Sequence, residues 1–278
     1  MIWLMNGATG DYLACFSGHE NDVLEAQFTP ANGGKTILSA SADMTMRLWS
    51  PKQHECLRVI KAPNTKTPWH EDAINTFALH PTRPVVVSGD LSGKVFLSNY
   101  NTGEIAGCLG QHGESVESID FCPSDVMDFC VSVGMDTNIN IYNIKEHKLR
   151  QKVTIGDSEY GGFTKVKFSA VDPNMLYAAS TQGYISIIDV RNGSCVRTYR
   201  GHAAPINDFL EVVEHKILVT AGDDFQCNVY DLTQEPKSLE IEKQKEEMQK
   251  EFDENLKKIA EEKGESGDKE GDEEMKKE

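Results

Sequence analysis

A strand-closing residue recurs along most of the chain at a nearly constant interval, and this recurrence restricts the fold more than any other sequence feature. Successive positions lie 46, 49, 44, 46 and 42 residues apart and are occupied by Trp3, Trp49, Ser98, Tyr142, Ile188 and Tyr230. Each ends a short apolar run bounded by Gly, Pro, Asn or Asp, a pattern typical of strands and turns. Such a period with little identity between units predicts a repeat architecture built of small β-sheets.

The stretch from Gly18 to Trp49 is the most regular unit. It opens with the pair Gly18-His19, continues through three short apolar runs and ends at Trp49. A Gly-His pair followed about thirty residues later by an aromatic resembles one unit of the WD-repeat family. The resemblance implies an all-β propeller, in which every unit contributes one small sheet, or blade.

The sequence therefore predicts a WD-repeat β-propeller over residues 1–236. Five full repeats follow the last two strands of a preceding blade, which we place at 2–4 and 12–16. Compared with a seven-bladed member of the family, this arrangement is incomplete on its N-terminal side. Beyond Pro236 the composition predicts a charged helix over 237–262 and a disordered acidic tail over 263–278. The helix is either solvated or docks its apolar face on a partner or on the propeller.

In the WD-repeat family, a His, a Ser or Thr, an Asp and the closing aromatic form a hydrogen-bonded tetrad inside the blade. The resemblance implies three such sets here: His19, Ser39, Asp43 and Trp49; His112, Ser132, Asp136 and Tyr142; and His202, Thr220, Asp224 and Tyr230. A buried imidazole and carboxylate must be hydrogen-bonded, so each set would pin a loop to its sheet rather than perform catalysis.

Two units depart from this pattern. The second has Ser92 and Ser98 at the Asp and aromatic positions, and the fourth has no His, with Gln182 and Ile188 at those positions. We expect both blades to depend on apolar packing instead.

The charge balance limits the class of partner. The net charge is −16, and residues 237–278 hold only 10 Lys against 16 Asp and Glu, which leaves residues 1–236 acidic as well. Duplex nucleic acid needs a positive footprint and is therefore disfavoured. The acidity is compatible with a basic partner, or it serves only to keep the protein soluble.

The loops that join one blade to the next emerge on one face of a propeller, where this fold usually binds partners. Here they carry the candidate partner-binding residues Glu20, Asp22, Trp69, Glu71, Asp72, Glu114, Asp157 and Glu159. An acidic arc over at least four blades would attract a basic segment electrostatically. Trp69 lies in a polar, Pro-containing loop and is either an interface anchor or folded back onto the blade edge.

The sequence contains no signature of catalysis, metal binding or membrane insertion. It has no nucleophile elbow, phosphate loop or dinucleotide fingerprint, and no Cys-x-x-Cys pair. No apolar run approaches about 18 residues, and the N-terminus lacks the regions of a signal peptide. The seven cysteines suit small buried hydrophobes in a reducing compartment. We expect no cofactor and no metal, a cytoplasmic location with the nucleus as the alternative, and leave the oligomeric state open.

Several stretches go beyond the generic repeat. Residues 198–209 and 219–224 resemble the closing blade of the angio-associated migratory cell protein family and its fungal counterpart, and 114–121 and 6–11 are similar too. The fungal counterpart is a dedicated chaperone of a large-subunit ribosomal protein. The resemblance covers residues 1 to about 233. It implies a propeller that holds the basic end of a ribosomal protein on its acidic face. An adaptor in cytoskeletal, migration, trafficking or ubiquitin-ligase complexes is the alternative.

Overall fold

The computed structural model shows an all-β chain built of small antiparallel sheets. It describes residues 1–124, 127–155 and 161–233. Residues Met1–Leu232 form one compact unit. The predicted helix over 237–262 and the predicted tail over 263–278 lie outside the described residues.

The sheets follow one another in chain order. A two-stranded sheet comes first, made of β1 (Ile2–Met5) and β2 (Tyr12–Phe16). Blade 1 contains β3 (Val23–Phe28), β4 (Ile37–Ser41), β5 (Met46–Ser50) and β6 (Glu55–Ile60). Blade 2 contains β7 (Ile74–Leu79), β8 (Val85–Asp90), β9 (Lys94–Asn99) and β10 (Glu104–Gln111).

The remaining blades repeat this order. Blade 3 contains β11 (Val116–Phe121), β12 (Phe129–Gly134), β13 (Asn138–Asn143) and β14 (Lys148–Thr154). Blade 4 contains β15 (Phe163–Phe168), β16 (Met175–Ser180), β17 (Tyr184–Asp189) and β18 (Ser194–Arg200). Blade 5 has three described strands, β19 (Ile206–Val212), β20 (Ile217–Gly222) and β21 (Cys227–Asp231). Short 3-10 turns connect the first and second strands of blade 1 (Pro30–Asn32) and of blade 5 (Val213–His215).

The second strand of each complete blade is buried on both faces because it lies between two neighbouring sheets. Every residue of β4 is buried, as are five of the six residues of β12. The fourth strands alternate and are largely exposed, as β6 shows. The apolar clusters that fill the spaces between blades include Leu38 with Phe77 and Val131 with Val166. Each such side chain contributes about 1.5–3 kcal/mol when fully buried.

Polar side chains on the first strands also join neighbouring blades. They bond to the backbone of the next first strand: Phe77 N–H donates to Glu25 Oε2 (2.8 Å), Asn75 Nδ2 to Val116 O (2.8 Å), Phe168 N–H to Asp120 Oδ2 (2.7 Å) and Lys167 Nζ to Phe209 O (3.0 Å). Burial raises the pKa of Asp120 to about 6, although the Phe168 N–H and nearby lysines oppose this. These polar groups of the first strands therefore link neighbouring blades.

Candidate partner-binding face

One end of the blades gathers two kinds of loop. Because the four strands of a blade alternate in direction, the blade-joining loops lie at the same end as the turns between second and third strands. We call this end the acidic face. Its described joining loops are 17–22, 61–73, 112–115 and 201–205, and its turns are 42–45, 91–93, 135–137, 181–183 and 223–226.

In blade 1 a hydrogen-bonded chain fixes the loop to the sheet. His19 Nδ1 lies 2.8 Å from Asp43 Oδ2, and His19 Nε2 lies 2.7 Å from Ser39 Oγ. Trp49 Nε1 donates to the same Ser39 oxygen at 2.9 Å. An ionised carboxylate only accepts, so Nδ1 of the neutral imidazole donates to Asp43 and Nε2 accepts from the Ser39 hydroxyl.

The protonation states agree with this arrangement. Burial lowers the pKa of His19 below its ordinary value, even though the hydrogen bond to Asp43 opposes the shift. Burial alone would raise the pKa of Asp43, but hydrogen bonds from Thr45, the Glu20 N–H and His19 outweigh it and lower that pKa. The pair is therefore a neutral imidazole and a carboxylate anion, and both are fully occupied in holding the loop.

The His, hydroxyl and Asp members of the other two implied sets are arranged in the same way, but Tyr230 of blade 5 does not complete its set, because its buried hydroxyl has no hydrogen-bond partner among the described residues. In blade 3, His112 lies 2.8 Å from Asp136 and 2.6 Å from Ser132, and the Ser132 and Tyr142 hydroxyl oxygens are hydrogen-bonded at 3.2 Å. In blade 5, His202 lies 2.8 Å from Asp224 and 2.7 Å from Thr220. The fourth member, Tyr230, packs its ring 5.0 Å from that of Tyr199.

Blade 2 corrects one expectation. It was expected to lack the polar network because Ser92 stands at the Asp position, yet His70 Nδ1 lies 2.8 Å from Asp90 Oδ2 and Nε2 lies 2.7 Å from Ser88 Oγ. The carboxylate comes from the last residue of β8, two positions before Ser92, whose hydroxyl donates to it at 2.8 Å. Phe96 covers His70 at 4.8 Å between ring centroids, in place of the missing closing aromatic.

Blade 4 has replaced the polar members that the other blades share. Ile188 pairs with Leu176 as Trp49 pairs with Ile37, so Ala178 occupies the position of Ser39. Ala178 and Ile188 are both fully buried. Apolar packing thus stands where the other blades use hydroxyls and aromatics.

The acidic residues predicted to bind a partner lie at this end of the molecule. Five of them are exposed: Glu20, Asp22, Glu71, Asp72 and Glu114. Asp157 and Glu159 lie outside the described residues. Lys94 Nζ lies 2.7 Å from Glu71 Oε2, which leaves that carboxylate side chain 75% exposed. An exposed ion pair of this kind contributes little to stability, so Glu71 can exchange Lys94 for another cation.

Trp69 does not belong to this exposed set. Only 6% of it is exposed, its indole N–H donates to Met44 O at 2.8 Å, and its ring lies 5.5 Å from Phe96. The interface-anchor interpretation is therefore wrong for this geometry, because Trp69 fills the space between blades 1 and 2. Its role is to hold the loop that presents Glu71 and Asp72.

The apolar residues of the turns were not among the residues predicted from the sequence. Met44, Leu91 and Phe225 are exposed on the acidic face, and exposed Asp223 stands two residues before Phe225. For Met44 and Phe225, the signal available in the sequence was a large apolar residue at the turn position where blades 2 and 4 have Gly93 and Gly183.

The described ranges show neither a metal centre nor a membrane-spanning helix. In 1–124, 127–155 and 161–233 no group of three or more ligating side chains could hold a metal ion. No helix within those ranges is long and apolar enough to span a bilayer.

Comparison with known families agrees with the blade geometry. The WD domain, G-beta repeat profile matches residues 10–50 and 193–231, which include most of blade 1 and the described strands of blade 5. These matches show WD repeats in two parts of the chain, and the four-stranded antiparallel sheets are consistent with WD-repeat propeller blades, a protein-interaction scaffold type.

The chain is also similar to individual WD-repeat proteins at low identity. It is 25% identical to the human angio-associated migratory cell protein over 212 residues, 71% of this chain and 46% of that protein. It is 26% identical over 228 residues to an uncharacterized WD repeat-containing protein of Schizosaccharomyces pombe, 80% of this chain and 55% of that protein. A periodic tryptophan protein 2 homolog of Dictyostelium discoideum is 26% identical over 201 residues, 69% of this chain and 20% of that protein. The chain spans about half the length of the human and Schizosaccharomyces pombe proteins. The resemblance to the angio-associated migratory cell protein family, predicted from the sequence, is confirmed at low identity.

Proposed function

We propose that this protein is a non-enzymatic scaffold that holds a basic segment of a ribosomal protein on its acidic face during assembly of the large ribosomal subunit. The observation that carries the proposal is the placement of Glu20, Asp22, Glu71, Asp72 and Glu114, all exposed at one end of successive blades. The resemblance to the angio-associated migratory cell protein family supports the class of client.

The tetrads support this proposal because they hold the acidic loops in place before a partner arrives. The backbone N–H of Glu20 donates to Asp43 at 3.0 Å, and that of Gly113, next to Glu114, donates to Asp136 at 2.9 Å. A preorganised loop loses less conformational freedom on binding, which leaves more of the electrostatic attraction as affinity.

Electrostatic attraction from such a surface acts mainly on encounter rate and selectivity. Exposed charges attract a polycation over about one Debye length, about 8 Å at physiological salt. A basic ribosomal-protein segment is an aggregation hazard before it meets RNA, and an acidic surface suits its temporary shielding. We propose the cytoplasm as the location of this activity, with the nucleus as the second compartment.

A second candidate is an adaptor in cytoskeletal or cell-migration, trafficking or ubiquitin-ligase complexes. The name of the human relative associates that protein with migrating cells. Both candidates use a protein-binding face, so they differ in the chemistry of the bound partner.

The test is binding of a synthetic Lys- and Arg-rich peptide from a large-subunit ribosomal protein to the full chain. Reversing Glu20, Asp22, Glu71 and Asp72 to Lys together should weaken binding roughly tenfold or more and flatten its salt dependence. The matched control reverses four exposed acids at the other end of the blades: Glu55, Glu104, Glu146 and Glu214.

Both quadruple variants have the same net charge, so a difference between them reports on position. We expect the control to bind within about twofold of the wild type. Equal losses in the two variants, or no loss in the first, would overturn the proposal. Affinity purification from the native source that returns cytoskeletal or ubiquitin-ligase components without ribosomal proteins would favour the adaptor.

A further inference from the structure

The five turns of the acidic face share one backbone feature. The third residue after the end of each second strand has a left-handed conformation: Met44 (φ 61°), Gly93 (φ 89°), Thr137 (φ 64°), Gly183 (φ 79°) and Phe225 (φ 62°). Two blades use glycine, which adopts this conformation without a steric penalty. The others place a side chain there, in a conformation that residues other than Gly, Asn and Asp rarely adopt.

Phe225 is the most extreme of these residues. Its side chain is fully exposed, at 101%, and Met44 is 43% exposed. The Phe225 side chain therefore packs against none of the described residues, and no burial of the ring offsets the strain of its left-handed backbone. Single exposed apolar residues are ordinary, but a bulky residue at positive φ is an outlier that points to function.

The neighbours of Phe225 indicate the chemistry of its partner. Exposed Asp223 stands in the same turn, and Leu91, 43% exposed, occupies the corresponding turn of blade 2. The acidic joining loops lie at the same end of the blades. A purely apolar partner would form no ion pair with these carboxylates, an acidic one would be repelled, and a purely hydrophilic one would gain nothing from an exposed ring.

We propose that Phe225, together with Met44 and Leu91, receives the apolar side chains of a cationic amphipathic segment whose Lys and Arg residues pair with the acids of this face. The Phe225 ring also offers its π-face to a Lys or Arg cation. Aromatic residues placed in this way are frequent anchors of protein interfaces. This inference rests on the proposed function and specifies that the bound basic segment is amphipathic.

Two synthetic peptides of equal length and charge test the proposal on the full chain. One alternates Lys with Leu and Phe, and the other has Ser in place of every Leu and Phe. The test variant is Phe225→Asn, because Asn tolerates the left-handed conformation and removes the ring. The matched control is Thr137→Asn, which makes the same change at the equivalent turn position of blade 3.

We expect the wild type to bind the amphipathic peptide more tightly than the Ser peptide. Phe225→Asn should weaken the amphipathic peptide roughly fivefold to tenfold and change the Ser peptide less than about twofold. Thr137→Asn should alter neither. Because Asn suits the turn, the melting temperature of Phe225→Asn should equal or exceed that of the wild type, which separates binding loss from unfolding.

The outcomes separate this inference from the proposed function. Unchanged affinity of Phe225→Asn for the amphipathic peptide overturns the inference, as does equal binding of the two peptides by the wild type. The quadruple charge reversal should weaken both peptides. If it does so while Phe225→Asn has no effect, the proposed function is retained and the binding role of the apolar residues is rejected. If neither peptide binds the wild type, both proposals fail.

Discussion

Ser39 is the residue on which the buried network of blade 1 depends. Its single hydroxyl accepts from Trp49 Nε1 and donates to His19 Nε2, and no part of Ser39 is exposed. Ser39→Ala would leave Trp49 Nε1 and His19 Nε2 buried without a hydrogen bond, while His19 Nδ1 keeps its bond to Asp43. At about 1–3 kcal/mol for each of the two unsatisfied groups, the expected loss is about 2–6 kcal/mol in the free energy of unfolding, measured by chemical denaturation.

The matched control for this change is Ser186→Ala. Ser186 is equally buried, but its one described hydrogen bond is to the Thr198 hydroxyl at 3.2 Å. We expect a loss below about 1 kcal/mol there. If Ser39→Ala unfolded at the same denaturant concentration as the control, the network would not contribute to stability as described.

At the scale of the blade, the sequence predicted strands better than side-chain partners. The regular spacing of closing residues placed the strands correctly because apolar runs and turn residues are local signals. The Asp90 carboxylate was missed because its role depends on the register of β8 rather than on its spacing from Ser88. Trp69 was left undecided because its hydrogen-bond acceptor, Met44 O, belongs to another blade.

The close approach of blades 2 and 3 gives a prediction for this scale. A Cβ on Gly89, in β8, would lie 2.5 Å from Val116 Cγ1 and 2.7 Å from Val116 Cβ. Its φ is not left-handed, so Gly89→Ala acts through steric overlap alone. We expect a loss of about 1–3 kcal/mol in the free energy of unfolding, because Val116 must move within a packed interface.

Gly7→Ala is the matched control for this overlap. It lies in the turn between β1 and β2, and a Cβ there meets nothing within 4 Å. We expect it to unfold at the wild-type denaturant concentration within error. An equal loss in both variants would mean that glycine flexibility, rather than blade spacing, determines the effect.

At the scale of the whole molecule, burial is lowest at the two ends of the array of blades. Five of the six residues of β12 are buried, whereas β20 has two buried residues and β21 has none. β1 has none either. In repeat proteins each unit is stabilised mainly by its neighbours, so the blades should differ in local stability although they share one fold.

Native-state hydrogen exchange should show this gradient directly. Amides of β8, β12 and β16 pack between two sheets and should open only with the cooperative unfolding of their blades. Amides of β1 and β21 form hydrogen bonds in sheets with little buried apolar surface, so we expect them to exchange at least roughly tenfold faster. The measurement is exchange followed by mass spectrometry of peptides from each strand. Protection of β21 equal to that of β12 would contradict the gradient, because it would require stabilising contacts on blade 5 that its described residues do not make.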